Sequence, residues 1–277
     1  VSPDPTWRTS PERPALDPVL LGGLDPDRVV GVRVEVVEEV TSTNAVVVER
    51  ARAGEPEGLV VVAEHQTAAR GRLDRTWETP PRSGLLFSVL LRPTAPTRSW
   101  PWLPLLTGYA VDKALKARGY DAGVKWPNDV LIGEKKVAGI LVERVETPHG
   151  PAAVVGVGLN VLLTPDELPV PTATSLAIES GSAPERSALL VDVLSSLRET
   201  YDAWQAGGDL SGMRLLESYS AACVTLGRDV RVELPGGGQL VGRATGIDPG
   251  GRLVVEGPDG ETPVGAGDVV HVRAVTP

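Results

Sequence analysis

With a single cysteine, Cys223, the chain can form no internal disulfide, and with three histidines it offers no Cys/His spacing for a structural zinc site. A reducing, cytoplasmic setting is therefore expected. A basic excess is also missing. Twenty-seven Lys and Arg stand against 36 Asp and Glu, a net charge of −9 and a pI near 5.0. That balance argues against general binding to nucleic acid or membrane surfaces and leaves room only for a local basic patch. No apolar run approaches the ~18 residues that span a bilayer, and no charged-then-apolar leader is visible. What is present, 277 residues of which 42% are hydrophobic and 23% charged, suits a soluble protein with one large domain or with a large and a small one.

Residues 1–28 are rich in Pro, Asp and Arg without sustained periodicity, and are expected to form a disordered or loosely attached tail with one short turn near Leu16–Leu21. Val29–Val40 alternates as a half-buried strand, Ala45–Arg52 reads as a helix ended by Gly54, and Leu59–Ala63 and Ser83–Leu91 read as buried strands. Leu105–Arg118 and Pro184–Trp204 carry apolar residues at helical spacing, and a further helix is expected near Leu210–Ala222. From Val224 the texture changes to short β-branched runs separated by Gly-rich turns, as in an SH3-like five-stranded barrel. The expected fold is α+β: a mixed β-sheet with helices over 29–223, and a barrel over 224–277.

Four stretches carry chemistry. Lys125-Trp126-Pro127-Asn128-Asp129 enters a hairpin, with Val130–Ile132 outward, a turn at Gly133–Lys135 and Val137–Val142 returning. It concentrates Lys125, Asn128, Asp129 and Lys136 at one rim beside the bulk-free Ala138-Gly139. This is either a site for a nucleotide plus a small acid or a polar tip with solvated lysines. Ser42-Thr43-Asn44 precedes a helix, as an ordinary N-cap or as a polar-ligand site with hydroxyls to spare. Arg70, Arg72 and Arg75 crowd a loop around Gly71; between a strand and Trp77 in an acidic protein, an anion-binding lid is favoured over a solvated basic loop. Gly156 and Gly158 strip one face of the strand Ala152–Val161, which weakens it unless something approaches closely. That Gly-x-Gly lacks the third glycine and following helix of a dinucleotide fingerprint.

In their order along the chain these pieces resemble the biotin–protein ligases, from about Glu38 onward. The carriers are Ser42-Thr43-Asn44, the Gln66…Arg70-Gly71-Arg72…Arg75…Trp77 loop, Lys125-Trp126-Pro127-Asn128-Asp129, Lys136…Gly139-Ile140-Leu141-Val142-Glu143 and Gly156…Gly158…Asn160. Lipoate ligases share the fold without the KWPND signature. The resemblance implies a class II synthetase-like catalytic domain that joins biotin and ATP into biotinyl-5′-AMP, then biotinylates a lysine of a biotin carboxyl carrier domain. It implies Mg²⁺ as activator with Asp129 near it, no nucleic-acid or membrane partner, and a monomer or weak homodimer. The segment before the first strand is too short and aperiodic for the winged helix that some relatives carry.

By the same resemblance, Lys136, Arg72, Lys125 and Arg70 carry the catalysis. Ser42, Thr43, Asn44, Gln66, Arg70, Arg72, Lys136, Gly139, Leu141 and Gly158 face biotin. Arg72, Arg75, Trp77, Lys125, Asn128, Asp129, Asn160 and Arg273 face ATP. The lid departs from the family pattern where Ala69 and Asp74 replace glycines; a Cβ at a positive-φ position there would cost about 1 kcal/mol. A lipoate or octanoate ligase and a non-catalytic binder of a biotin-like ligand are the competing readings.

Overall fold

The computed structural model describes residues 13–25, 27, 29–30, 33–72, 75–206, 209–234 and 237–271, with backbone alone over 209–212. A short helix α1 (Pro18–Gly22) leads into strand β1 (Arg33–Val40), helix α2 (Thr43–Arg52), and strands β2 (Leu59–Gln66) and β3 (Gly84–Leu91). Helix α3 (Trp102–Ala117) follows, then β4 (Ala122–Lys125), β5 (Asp129–Ile132), β6 (Lys135–Thr147) and β7 (Gly150–Asn160). Helices α4 (Leu176–Ser180), α5 (Arg186–Gln205) and α6 (Asp209–Ala222) lead to β8 (Asp229–Glu233), β9 (Gln239–Ile247), β10 (Leu253–Gly257), β11 (Gly260–Val264) and β12 (Asp268–His271).

Seven strands form one mixed sheet in the order β1-β2-β3-β7-β6-β5-β4, parallel only between β1 and β2. The parallel pair needs a crossover, and α2 supplies it. The last five strands form an antiparallel sheet in the order β11-β10-β9-β8-β12, the C-terminal SH3-like unit. Its turn residues reach back to the large sheet. Trp126 and Trp102 donate their indole N–H groups to the carbonyls of Gly251 (3.0 Å) and Pro249 (2.8 Å).

Because side chains alternate along a strand, the register decides what each face of the sheet does. Phe87, Val89, Ile140, Val155 and Val157 point into the main core with Leu103, Leu106, Leu190 and Leu194 of α3 and α5. The other face is covered only in part. Val47 and Ala51 of α2 pack there on Leu59, Val61, Leu90, Val145 and Val154. Beyond α2 the same face continues through Ser88, Gly156 and Leu141, and through the paired glycines Gly139 and Gly158. Half of one sheet face is thus left for something other than a helix.

Residues 13–22 depart from the loose tail expected of the first 28. Leu16 and Leu21 are buried, the Leu16 N–H donates to Glu64 at 2.6 Å, and Arg186 donates to the Pro14 carbonyl at 2.7 Å. Glu64 and Arg186 form an ion pair at 2.8 Å with both side chains 2% exposed. Charges so deeply buried need every neighbour's hydrogen bonds, and the N-terminal backbone supplies two of them. Periodicity could not signal this, because one carboxylate and one guanidinium hold the segment in place of an apolar stripe. Residues 1–12 lie outside the described residues. Among the described residues no helix is long and apolar enough to cross a membrane.

Candidate active site

The uncovered half-face is the floor of a cleft that opens to solvent. Gly139 and Gly158 stand opposite each other there, and the Trp77 indole lies on them. A Cβ on Gly158 would come 2.6 Å from Trp77 Cε2, and one on Gly139 3.0 Å from Cζ3. The Trp77 indole N–H is buried without a protein acceptor. Gly156, one step along, makes room for a different group: a Cβ on it would meet Asn44 Oδ1 at 2.1 Å.

The head of the cleft is the start of α2. Ser42 has extended backbone and is only 5% exposed, yet its side chain makes no capping hydrogen bond, so its hydroxyl remains available to the cavity. The Thr43 N–H donates to Gln66 Oε1 at 2.7 Å, which orients the Gln66 amide toward the same space.

The lid closes the mouth as a tight turn. Arg70 bridges Thr76, the Gly71 N–H donates to the Arg75 carbonyl at 2.6 Å, and the Trp77 N–H to that of Ala69 at 3.1 Å. Among the described residues Arg82 is the one non-glycine with positive φ, so Ala69 does not incur the expected backbone cost. Asp74 lies outside the described residues. Each lid arginine is held by a partner from a different element. Arg70 pairs with Glu143 of β6 at 3.3 Å, Arg72 donates to Asn128 Oδ1 at 3.0 Å, and Arg75 pairs with Asp268 of β12. Burial lowers the Arg72 pKa against the pull of Asp129 and Asp268, whereas the Asp268 hydrogen bond raises that of Arg75. From the hairpin, Lys136 reaches over Gly139 to sit 2.6 Å from Asp129 Oδ1 and 5.4 Å from the Trp77 ring centroid, within cation–π range.

One cavity therefore gathers Ser42, Thr43, Asn44, Gln66, Arg70, Arg72, Arg75, Trp77, Asn128, Asp129, Lys136, Gly139, Leu141 and Gly158. It does not gather Lys125 or Asn160. Lys125 pairs with Asp129 on the outermost strand, β4, and lies toward the barrel beside His271. The Asn160 amide, 3% exposed, donates to the Thr174 carbonyl at 2.9 Å. Arg273 lies outside the described residues. Sequence reasoning missed Asp268, which lines the cavity from nearly 200 residues beyond the lid, and no local signal in a barrel strand marks it.

Burial, then the charges of Lys125 and Arg228, lower the His271 pKa from 6.5 to about 4. The unfolded chain then binds this proton more tightly than the folded one, so His271 removes stability as pH falls from about 6.5 toward 4. His271→Asn should therefore flatten the decline of the urea midpoint between pH 7 and pH 5. Parallel declines in variant and parent would contradict this.

Residues 35–160 match the Biotin/lipoate A/B protein ligase family, and residues 225–272 match the Biotin protein ligase C terminal domain. The chain is 40% identical over 247 residues to the biotin–acetyl-CoA-carboxylase ligase of Mycobacterium tuberculosis, covering 87% of this chain and 90% of the relative. It is 34% identical to the bifunctional ligase/repressor BirA of Bacillus spizizenii, covering 83% and 71%. Its fold is similar to the biotin protein ligase from Aquifex aeolicus solved in complex with biotin and ATP, with a TM-score of 0.74, 28% identity, and 87% and 99% of the two chains covered.

Proposed function

The chain belongs to the biotin/lipoate A/B protein ligase family, as a biotin–protein ligase, and from that premise we propose how its cleft performs the two steps. In the first, the biotin carboxylate attacks the α-phosphorus of ATP, giving biotinyl-5′-AMP and pyrophosphate. In the second, a lysine of an acceptor protein attacks the acyl carbonyl, forms the amide and releases AMP. The acceptor is a biotin carboxyl carrier domain, and the enzyme works in the cytoplasm.

The observation that carries this reading is the convergence of Lys136, Arg70, Arg72 and Arg75 on one glycine-floored cavity in a protein of net charge −9. The physical difficulty of the first step is bringing an anion onto a polyanion. Two unit charges ~4 Å apart repel by roughly 4 kcal/mol at an effective dielectric near 20. Cations already in place offset that repulsion without reorganisation when the reactants meet. Biotin takes the place over Gly139 and Gly158 that the Trp77 indole fills here, with its ring at Ser42, Thr43 and Gln66 and its carboxylate under Lys136. The phosphates lie toward Arg72, Arg75 and Asn128. Trp77 walls the junction, and its unpaired N–H finds an acceptor on the ligand. The lid excludes water from the anhydride. Lys125 acts on the nucleotide from the barrel side.

Mg²⁺ fits as a companion of the substrate. No cluster of three or more metal-ligating side chains exists among the described residues, and Mg²⁺ commonly takes one or two protein carboxylates together with phosphate oxygens. Asp129, one of two aspartates lining the cavity, would hold the ion, which would neutralise phosphate charge.

Biotin-dependent exchange of labelled pyrophosphate into ATP tests the proposal. Exchange with biotin and not with lipoate or octanoate is expected; exchange with lipoate, or none with any acid, would overturn it.

A further inference from the structure

Several buried polar groups beside the cleft have no part in the chemistry above. Ser88 of β3 is fully buried, and its Oγ lies 2.7 Å from Thr43 Oγ1 and 2.6 Å from Asn44 Oδ1. An amide oxygen carries no hydrogen, so Ser88 is the donor to Asn44, and its single hydrogen is spent there; the Thr43 hydroxyl lies in turn 3.1 Å from Gln66 Oε1, which can only accept from it. The other end of the Asn44 amide donates to Glu143 Oε2 at 2.7 Å and faces the Leu141 carbonyl at 3.5 Å. The second Glu143 oxygen takes the Arg70 guanidinium at 3.3 Å. The result is a directed chain from Ser88 through Asn44 to Glu143, where the lid arginine meets it from the other side. Gly156 makes the chain possible, because a side chain there would occupy the place of the Asn44 amide.

Two consequences follow. Asn44, 4% exposed, has both amide ends committed, so it acts by holding its neighbours and not as a ligand donor. Among the described residues Glu143 is the carboxylate joining the head of the cleft to the lid, through two oxygens with two different duties. The ion pair itself is half-exposed, with Arg70 57% and Glu143 29% accessible, and pairs so wet contribute little to folding. Its effect is on where Arg70 points.

We infer that Glu143 is a positioning residue for adenylate formation: fixed from behind by the Ser88–Asn44 chain, it aims the Arg70 guanidinium into the cleft and holds the lid in register with the biotin end. This rests on the ligase reading above. Arg70 held in this way presents its remaining N–H groups to an incoming carboxylate. Released from Glu143, its 57% exposed side chain turns to solvent.

The test uses the full chain with Glu143→Gln, which keeps an oxygen for Asn44 and removes the charge that holds Arg70, and with Glu143→Asp as the conservative control. Glu143→Gln should raise the KM for biotin in pyrophosphate exchange about tenfold, a size in line with slight misplacement of a reacting group, at an unchanged melting temperature. Glu143→Asp should recover most of the loss. Arg70→Lys should cost about tenfold less in the Glu143→Gln background than alone, the non-additivity expected of two groups in one network. Limited trypsin digestion without substrates, followed by mass, should show faster cleavage after Arg72 in Glu143→Gln. A parental KM in Glu143→Gln, additive losses with Arg70→Lys, or equal cleavage each overturn the inference. If the parent shows no biotin-dependent exchange, the ligase reading fails instead, and the cleavage comparison still decides whether Glu143 holds the lid.

Discussion

Lys136→Ala is expected to lower the rate of biotinyl-adenylate formation by about a thousandfold, the factor that a lost ~4 kcal/mol of charge stabilisation implies. The substitution should leave the fold intact. Lys136 is held in place by its backbone, which takes a hydrogen bond from Thr174 (2.9 Å) and donates one to Thr172 (2.8 Å), and alanine keeps both. Its side chain is 34% exposed and fills no core position. What alanine removes is the cation 2.6 Å from Asp129, and it leaves that carboxylate uncompensated in a cleft meant for two further anions. The loss should therefore exceed that of a neutralised surface lysine, and Lys136→Arg should recover only part of it, since a planar fork cannot replace a point charge at this range. Pyrophosphate exchange gives the rate and urea unfolding the stability. A rate within tenfold of the parent, at unchanged stability, would remove Lys136 from the chemistry.

Gly158→Val should raise the KM for biotin by at least tenfold, because the floor of the cleft has no room for a side chain. The added Cβ would sit 2.6 Å from Trp77 Cε2 and 2.7 Å from Nε1, so the indole must leave or the branch must fill the space assigned to biotin. Either outcome weakens biotin binding. Stability should change less than binding, since valine suits a strand and the clash is with the half-buried Trp77 indole, not with backbone or core. Gly156→Ala provides the contrast. Its Cβ would strike Asn44 Oδ1 at 2.1 Å beneath α2, where nothing can yield, and the expected loss is in the unfolding midpoint. If Gly158→Val binds biotin as the parent does, the glycine pair is not the floor on which the substrate lies.

The local parts of this site could be read along the chain, whereas its closure could not. Alternation over Ala152–Val161 put Gly156 and Gly158 on one face before any partner strand was known, and the three arginines around Gly71 marked an anion-seeking loop. Register set the rest. Gly158 meets Gly139 and Ser88 meets Gly156 through pairings across 19 and 68 residues, and no periodicity within either strand encodes such a match. Lys125 and Lys136 look equivalent in sequence, but one lies on the sheet edge against the barrel and the other reaches over Gly139. Asn160 carries a motif position whose amide is spent on Thr174, a loop contact invisible in its own strand. Glu143 ends a conspicuous apolar run. Its use becomes apparent only when α2 brings Asn44 to one of its oxygens and the lid brings Arg70 to the other.

The most direct measurement is a crystal structure of the protein with a non-hydrolysable biotinyl-adenylate analogue. The account predicts the phosphate group within hydrogen-bonding distance of Lys136 Nζ and of a lid guanidinium, with the ureido ring at Ser42 and Gln66. A phosphate facing away from both sets of cations would contradict it.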